Sequence, residues 1–192
     1  MGASPRRATK GEGAARRVLG VDPGTVCTGW GVIEDLGRSM QYVASGVIRP
    51  KGSRPDRLAM IHQALHQICR RFGPEAVVIE QTFVGHNIQT AFRLGEARGA
   101  VMVAAAQAGR AVAEYSPAEI KVAVAGNGRA TKQQMQAMVE RLLRLAAPLA
   151  TDEADALGAA ICHLHTHRFL TVVAASRAAT SGAGAGAAIR LP

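Results

Sequence analysis

The chain has 192 residues, 48% of them hydrophobic, and a formal net charge of +9. This length suits one domain with a sizeable core, and the longest apolar run, residues 100–106, is far below the roughly 20 residues that span a bilayer. Three cysteines without a close pair exclude a disulfide framework, and the N-terminus lacks the apolar stretch of a signal peptide. We therefore predict a cytoplasmic protein that does not enter a membrane.

The positive charge is concentrated at the two ends of the chain. Residues 1–17 carry five Arg or Lys and one Glu, and residues 171–192 carry two Arg and no acid. Both ends are too poor in large apolar side chains to form a core. We predict a disordered basic tail over 1–16, a folded domain over 17–170 and a disordered Gly/Ala-rich tail over 171–192. The remaining excess of basic residues in the domain is typical of a nucleic-acid partner.

Between the tails, three strands come first, and helices then alternate with strands. The hydrophobic patterns predict strands at 17–22, 28–34, 41–48, 76–81 and 111–115, and helices at 55–72, 88–108, 117–124, 131–145 and 152–169. A meander followed by strands that helical crossovers connect gives a mixed, five-stranded α/β sheet flanked by helices. Two glycines in the second strand, Gly29 and Gly31, indicate close approach of another backbone.

Four carboxylates occupy positions where a purely structural role is unusual. Asp22 and Glu80 each end an apolar strand, where an acid costs desolvation energy unless a cation meets it. Asp152 and Asp155 open the last helix three residues apart and so share a face. Alone, that pair would be interpreted as surface acids that favour a helix N-terminus. With two strand-end acids nearby, the four residues indicate a site for hard divalent cations.

These motifs together resemble the RuvC family of Holliday-junction resolvases, in the ribonuclease H-like superfamily. The resemblance covers about residues 17–167 and rests on Gly-Val-Asp22-Pro-Gly-Thr, Val-Ile-Glu80-Gln, residues 94–99, residues 120–128, and Asp152-Glu-Ala-Asp155-Ala-Leu. It implies a ribonuclease H-like nuclease domain over 17–170. It also implies a structure-selective endonuclease that resolves four-way DNA junctions by paired symmetric nicks in recombination and repair.

The resemblance assigns the four acids to catalysis and metal binding. It implies two Mg²⁺ ions, which Mn²⁺ could replace, with Asp22 bridging them, and a phosphodiester hydrolysis without a covalent enzyme intermediate. Lys121 and Lys132 match positions near the scissile phosphate, although either could be a solvated helix-face lysine. The family also implies cooperation with the branch-migration proteins RuvA and RuvB.

Two further DNA contacts are predicted in loops. By the same resemblance, Phe83 stacks on a base at the junction, which is worth about 1–3 kcal/mol; without the family, a Phe packed under its own loop would be preferred. Arg129, in the glycine-containing segment after Lys121, is a further candidate for a phosphate contact.

The helix predicted at 88–108 favours a homodimer. From Ala97 to Ala108 it is apolar almost all round, so one sheet face cannot cover it, and Gly95 and Gly99 allow another backbone to approach. A two-fold dimer would offer two active sites to a four-way junction. The alternative is a central core helix in a monomer.

Other functions share parts of this pattern. Another ribonuclease H-like nuclease or a non-catalytic junction-binding protein would share much of the pattern. A sugar-kinase or actin-like ATPase has a similar first phosphate motif but needs a second domain, for which the chain is too short. His163 and His167 align on one helix face like zinc ligands, without an evident third ligand.

Overall fold

The computed structural model describes residues 16–81 and 88–182. Five strands form the sheet: β1 (Arg16–Asp22), β2 (Thr28–Asp35), β3 (Met40–Ile48), β4 (Ala76–Glu80) and β5 (Ala111–Tyr115). Five helices flank it: α1 (Arg54–Phe72), α2 (Ile88–Gln107), α3 (Pro117–Ala125), α4 (Lys132–Leu142) and α5 (Thr151–Gly182). The predicted element order and fold class are confirmed.

The sheet has the strand order β3-β2-β1-β4-β5. β1 pairs antiparallel with β2, and β2 with β3, whereas β4 runs parallel to both β1 and β5. The antiparallel meander therefore forms one half of the sheet. β1 lies at the junction with the parallel half, where the direction of the chain connections changes.

Strand alternation gives the sheet two buried faces with different helical layers. Leu19 and Val21 of β1 pack in one core with α1 and α2, whereas Val18 packs in the other core with α3, α4 and α5. Because side chains alternate along a strand, Gly20 and Asp22 lie on the same face as Val18. In β4, Glu80 likewise lies on the face of Val78, which belongs to the α5 core.

The helix ends carry much of the local sequence information. Ser53, Ser116 and Thr131 each form a capping box, which satisfies backbone donors at the first turn of α1, α3 and α4. The predicted end of α4 at 145 was wrong, since the helix stops at Leu142 and Leu143 is its cap.

The last helix is longer than predicted. α5 runs from Thr151 to Gly182 rather than from 152 to 169, so it continues into the segment assigned to a disordered tail. The composition of residues 171–182 explains the error, because a run rich in alanine has high helix propensity even when it has little apolar surface to bury. The tail over residues 1–15 and 183–192 stays a prediction.

Candidate active site

Asp22 and Glu80 end neighbouring parallel strands at the same edge of the sheet. The register pairs Val21 with Ile79, so the residues that follow, Asp22 and Glu80, stand side by side. Both lie on the face that α5 covers. The carboxyl ends of parallel strands at a change of connection direction form the usual ligand crevice of an α/β sheet.

Three glycines let α5 lie directly on β1 and β2. A Cβ atom on Gly20 would stand 1.8 Å from the carbonyl oxygen of Ala156, and one on Gly29 would stand 2.0 Å from that of Asp152. On Gly31 it would meet the side chain of Leu157 at 2.4 Å. The close backbone approach predicted from Gly29 and Gly31 is thus confirmed at Gly29, whereas Gly31 makes room for the Leu157 side chain. It brings the first turn of α5, with Asp152 and Asp155, beside Asp22.

The acids open into a cavity of about 430 Å³. We call it the carboxylate pocket; it is lined by Asp22, Pro23, Glu80, Gln81, Leu94, Pro117, Ile120, Lys121, Lys132, Met135 and Asp155. Three of the four predicted acids and both predicted lysines therefore meet in one place, from β1, β4, α3, α4 and α5. The walls add apolar residues that sequence reasoning had not assigned, such as Met135.

The electrostatics of the pocket are those of crowded carboxylates. Burial, followed by the charges of Asp155, Glu80 and Asp152, raises the pKa of Asp22 to about 7. Burial and Asp155 also raise the pKa of Glu80, against the charges of Lys132 and Lys121. The positive charge of the protein itself is therefore too small to keep the pKa values of Asp22 and Glu80 in their ordinary range.

Lys132 supplies part of that charge. Its Nζ lies 3.4 Å from Oδ2 of Asp155, and this carboxylate is the main cause of the raised pKa of Lys132. The lysine side chain is 75% exposed at the rim, so its ammonium group can also meet a ligand that enters the pocket. Lys121 lines the same pocket from α3.

Asp152 does not line the carboxylate pocket. Its Oδ2 accepts a hydrogen bond from the thiol of Cys27 at 2.8 Å. Burial and this carboxylate raise the pKa of Cys27 to about 11, so the sulfur stays protonated as a donor. Asp152 and Asp155 share the first turn of α5 as predicted, but their side chains have different partners. No sequence signal links Cys27 to Asp152, because they are 125 positions apart.

The remaining predicted contacts have different outcomes. Arg129 is exposed in the α3–α4 loop, where its backbone N–H bonds Asn127 Oδ1 at 3.1 Å, and it does not line the pocket. Phe83 lies outside the described residues. His163 bonds the hydroxyl of Tyr115 at 3.0 Å, and His167 contacts Arg16 at 2.9 Å, so both imidazoles have structural partners.

A family comparison decides what class of protein has this site. The family model described as crossover junction endodeoxyribonuclease RuvC matches residues 18–163. The chain belongs to the RuvC family. A RuvC from Alkalilimnicola ehrlichii is 51% identical over 150 residues, which are 78% of this chain and 91% of that protein.

Solved RuvC structures agree with this assignment. Thermus thermophilus RuvC superposes with a TM-score of 0.73 at 35% identity, covering 80% of this chain and 96% of the other. The same RuvC in complex with a Holliday junction substrate superposes with the same TM-score at 31% identity and the same coverage. Among the helices of residues 16–81 and 88–182, none has the length and apolar character that a membrane crossing requires.

Proposed function

We propose that this chain is a structure-selective endonuclease that resolves four-way DNA junctions by paired nicks. The observation that carries the proposal is the meeting of Asp22, Glu80 and Asp155 with two lysines in one open pocket of a RuvC-family chain. The family gives the substrate class, and the pocket gives residues for phosphodiester chemistry. Relatives named crossover junction endodeoxyribonuclease support the same function.

The chemistry of the pocket fits hard divalent cations. Its acids offer oxygen ligands, and the pKa of Asp22 is raised to about 7 by burial and neighbouring acids, as expected where a cation is needed. Within the part of the chain described, no three Asp, Glu, His or Cys side chains stand close enough to hold a metal without moving. We infer that Asp152 turns from Cys27, and Asp155 from Lys132, to complete the site.

With those rotations, Asp22, Glu80, Asp152 and Asp155 would hold two Mg²⁺ ions, and Mn²⁺ would be accepted by the same ligands. When bound, such ions activate a water molecule and stabilise the departing oxygen in phosphodiester hydrolysis. The metal identity and number are part of the proposal. Their test is the dependence of cleavage on added Mg²⁺ or Mn²⁺ after treatment with EDTA.

The protein's own residues bind and orient the phosphate. Lys132 and Lys121 place positive charge at the pocket, where it offsets the charge that develops on the phosphate in the transition state. Arg129, which is exposed in the α3–α4 loop, would contact a phosphate farther from the pocket. Cys27 is not a nucleophile in this scheme, because a thiol with a pKa of about 11 is protonated at neutral pH.

The decisive experiment compares several substrates. The purified protein is incubated with a labelled four-way junction, a linear duplex, an RNA–DNA hybrid and ATP. We expect two symmetric nicks in the junction only, and we expect Asp22→Asn to bind the junction without cutting it. Equal cutting of the duplex or hybrid would indicate a different ribonuclease H-like nuclease. Binding without cutting by the unaltered protein would indicate a non-catalytic junction binder.

Asp35→Asn is a matched control for the loss of a carboxylate. Asp35 lies at the far end of β2, where its carboxylate pairs with Arg168. It is outside the carboxylate pocket. Cleavage by this variant should match that of the unaltered protein under conditions in which both are folded.

We also propose that residues 88–108 provide a homodimer interface, through the part of α2 that carries Gly95, Gly99, Met102 and Val103 and leaves the N-terminal turn of the helix free. Val103 and Met102 of α2 are 50% and 38% exposed, and a Cβ atom on Gly95 or Gly99 would meet nothing within 4 Å. This leaves an apolar strip with room for another backbone. A two-fold dimer would present two active sites to a junction of matching symmetry.

The dimer has its own test. Light scattering should give a dimer for the unaltered protein, and Gly99→Arg should give a monomer that makes single rather than paired nicks. Val122→Arg, at an apolar position on α3 that is 54% exposed, is the control and should stay dimeric. A monomeric unaltered protein that still makes paired nicks would contradict the interface.

Three expectations rest on the family alone. We propose that Phe83 stacks on a base at the junction, that RuvA and RuvB are partners, and that the protein acts in the cytoplasm. Phe83→Ala should slow cleavage of an intact junction more than that of a junction with unpaired central bases, because the unpairing cost is already met there. Equal slowing on both junctions would remove the stacking role.

A further inference from the structure

A second cavity lies across a tight turn from the carboxylate pocket. It has a volume of about 340 Å³. We call it the arginine cavity; its lining residues are Thr25, Val26, Gly52, Arg54, Arg57, Gln89, Phe92 and Arg93. Asp22 at the end of β1 and Pro23 after it line one cavity, and Thr25 and Val26 in the turn to β2 line the other. A ligand as long as a nucleic-acid strand can therefore reach both.

The turn between the cavities is held in place by the chain itself. Thr28, fully buried, donates its hydroxyl to the carbonyl of Gly24 at 2.7 Å and accepts the Gly24 N–H at 3.2 Å. These hydrogen bonds join the turn that follows Asp22 to the first residue of β2. The two cavities thus have a fixed relation to each other.

The arginine cavity carries positive charge without an acid in its lining. Arg93 forms no hydrogen bond or ion pair within residues 16–81 and 88–182. Within the same described residues, the Arg57 guanidinium makes one hydrogen bond, in which Nε donates to the carbonyl of Gly52 at 3.0 Å. Arg54 is partly neutralised, since it lies 3.6 Å from Glu96, but its side chain is 69% exposed. Two guanidinium groups are therefore available to an anion.

A second nearby acid, Asp56, forms no ion pair with these arginines within the described residues. The carboxylate of Asp56 accepts hydrogen bonds from the backbone N–H and the hydroxyl of Ser53, at 3.0 and 2.5 Å, in the capping box of α1. Arg49, at the end of β3, adds positive charge beside Cys27 and so extends the basic surface toward the turn. The ligand class that this arrangement favours is a phosphate.

Exposed apolar groups border the arginines. Val26 is 71% exposed and Phe92 is 70% exposed. A bare phosphate would satisfy the guanidinium groups, whereas a nucleic-acid strand would also place a sugar or base against the aromatic ring beside them, and it is long enough to reach the carboxylate pocket as well. We propose that the arginine cavity binds a backbone phosphate of the DNA strand that enters the carboxylate pocket, with Arg93 and Arg57 as its ligands. This inference rests on the proposed function.

The first test is the salt dependence of junction binding. Each phosphate contact contributes a slope of about 0.9 in log K against log salt, which is about eightfold in affinity at roughly 0.1 M salt. Arg93→Gln should weaken binding by that factor and lower the slope by about 0.9, and Arg93→Lys should restore most of both. Arg57→Gln should act in the same direction.

Arg70→Gln is the control for charge alone. Arg70 is exposed in the last turn of α1, the same helix that carries Arg57, and does not line the cavity. It should change affinity much less than Arg93→Gln. If the two variants behave alike, the cavity has no specific role and the inference is overturned, even when the unaltered protein cuts the junction as proposed.

The second test locates the phosphate. Junctions are prepared with one neutral methylphosphonate at successive positions on either side of the cut bond. One position should weaken binding by the unaltered protein more than binding by Arg93→Gln, because the variant has already lost one of the two arginine contacts to that phosphate. Equal effects at every position for both proteins would refute the site. If the unaltered protein fails to bind junctions at all, the proposed function fails as well, and the two failures are distinguished.

A competition arm separates a strand from a free anion. Sodium phosphate is compared with sodium chloride at equal ionic strength as a competitor of junction binding. The two salts should compete equally if the cavity needs a DNA strand. Direct binding of sodium phosphate that is lost in Arg93→Gln, together with unchanged junction binding by that variant, would show a site for the free anion and overturn the assignment to DNA.

Discussion

Replacing Asp22 with asparagine should stabilise the metal-free protein above neutral pH. Burial and three neighbouring carboxylates raise the pKa of Asp22 from 3.8 to about 7. In the unfolded chain this carboxyl has its ordinary pKa, so the folded state binds more protons between about pH 4 and about pH 7. The free energy of unfolding therefore falls as the pH rises through that range.

The size of the effect follows from the change in pKa. A rise from 3.8 to about 7 on folding lowers the free energy of unfolding by about 4 kcal/mol once the carboxyl is ionised. The asparagine amide loses about 1–3 kcal/mol of this gain if it is buried without hydrogen bonds. A net gain of about 1–3 kcal/mol raises the melting temperature of a chain of this size by roughly 3–9 °C.

The assay is thermal unfolding followed by circular dichroism in EDTA across a series of pH values. Asp22→Asn should melt above the unaltered protein at about pH 8, and the gain should shrink toward about pH 4. Excess Mg²⁺ should then stabilise the unaltered protein more than the variant, because the variant has lost a ligand charge.

Asp35→Asn is a control for which the expected change in melting temperature has the opposite sign. Burial alone would raise the pKa of Asp35, but the guanidinium of Arg168 and the backbone N–H of Gly37 hold it below its ordinary value. This carboxylate therefore stabilises the fold at neutral pH, and that contribution is lost as the pH falls through its folded pKa. Asp35→Asn should lower the melting temperature at about pH 8 and matter less in acid.

Two patterns of melting temperatures would contradict this role of Asp22. If Asp22→Asn melts below the unaltered protein at every pH in EDTA, Asp22 is a structural residue. A gain that does not change with pH would mean that the acids do not repel each other in the fold. Either result would also weaken the case for a cation at this pocket.

Three further substitutions test the site. Gly29→Ala should destabilise the fold by about 1–3 kcal/mol and reduce cleavage, because the new Cβ atom would collide with the backbone of Asp152. Gly158→Ala is the control on α5, the helix of Asp152. Its Cβ atom would meet its neighbours at 3.5 Å or more, so melting and cleavage assays should show no such loss. Cys27→Ala should lower the Mg²⁺ concentration needed for half-maximal cleavage by up to about tenfold, since a hydrogen bond worth about 0.5–1.5 kcal/mol must break before Asp152 joins the metal site, and Cys27→Ser should retain the requirement of the unaltered protein; equal requirements for all three proteins would show that the contact is idle. Lys132→Met should lower the single-turnover cleavage rate by about a hundredfold while junction binding changes far less, and an unchanged rate would make Lys132 a surface residue.

Most of the fold could be predicted because its signals are local. The apolar runs ending in Asp22 and Glu80 identify β1 and β4, and strand alternation puts both acids on one face of the sheet. Glycines at positions 29 and 31 indicated that a second backbone lies against β2, although they could not say that it is α5.

What the sequence could not predict depends on contacts between distant segments. The bond from Cys27 to Asp152 joins two turns from opposite ends of the domain, and the motif around each residue is complete without the other. The arginine cavity has the same origin, since Arg57 and Arg93 belong to different helices and meet only when α1 packs on α2. Such clusters have no spacing rule in the chain.

The position of α5 on the glycines of β1 and β2 also has a consequence for synthesis on the ribosome. β1 is among the first segments to emerge and Asp155 among the last, so the N-terminal strands wait for their covering helix until translation is nearly finished. Until then the three glycines form an open groove and the acids of the pocket are separate. A nascent chain therefore has no assembled nuclease site, and a prematurely terminated one that ends before Thr151 would be unable to nick DNA.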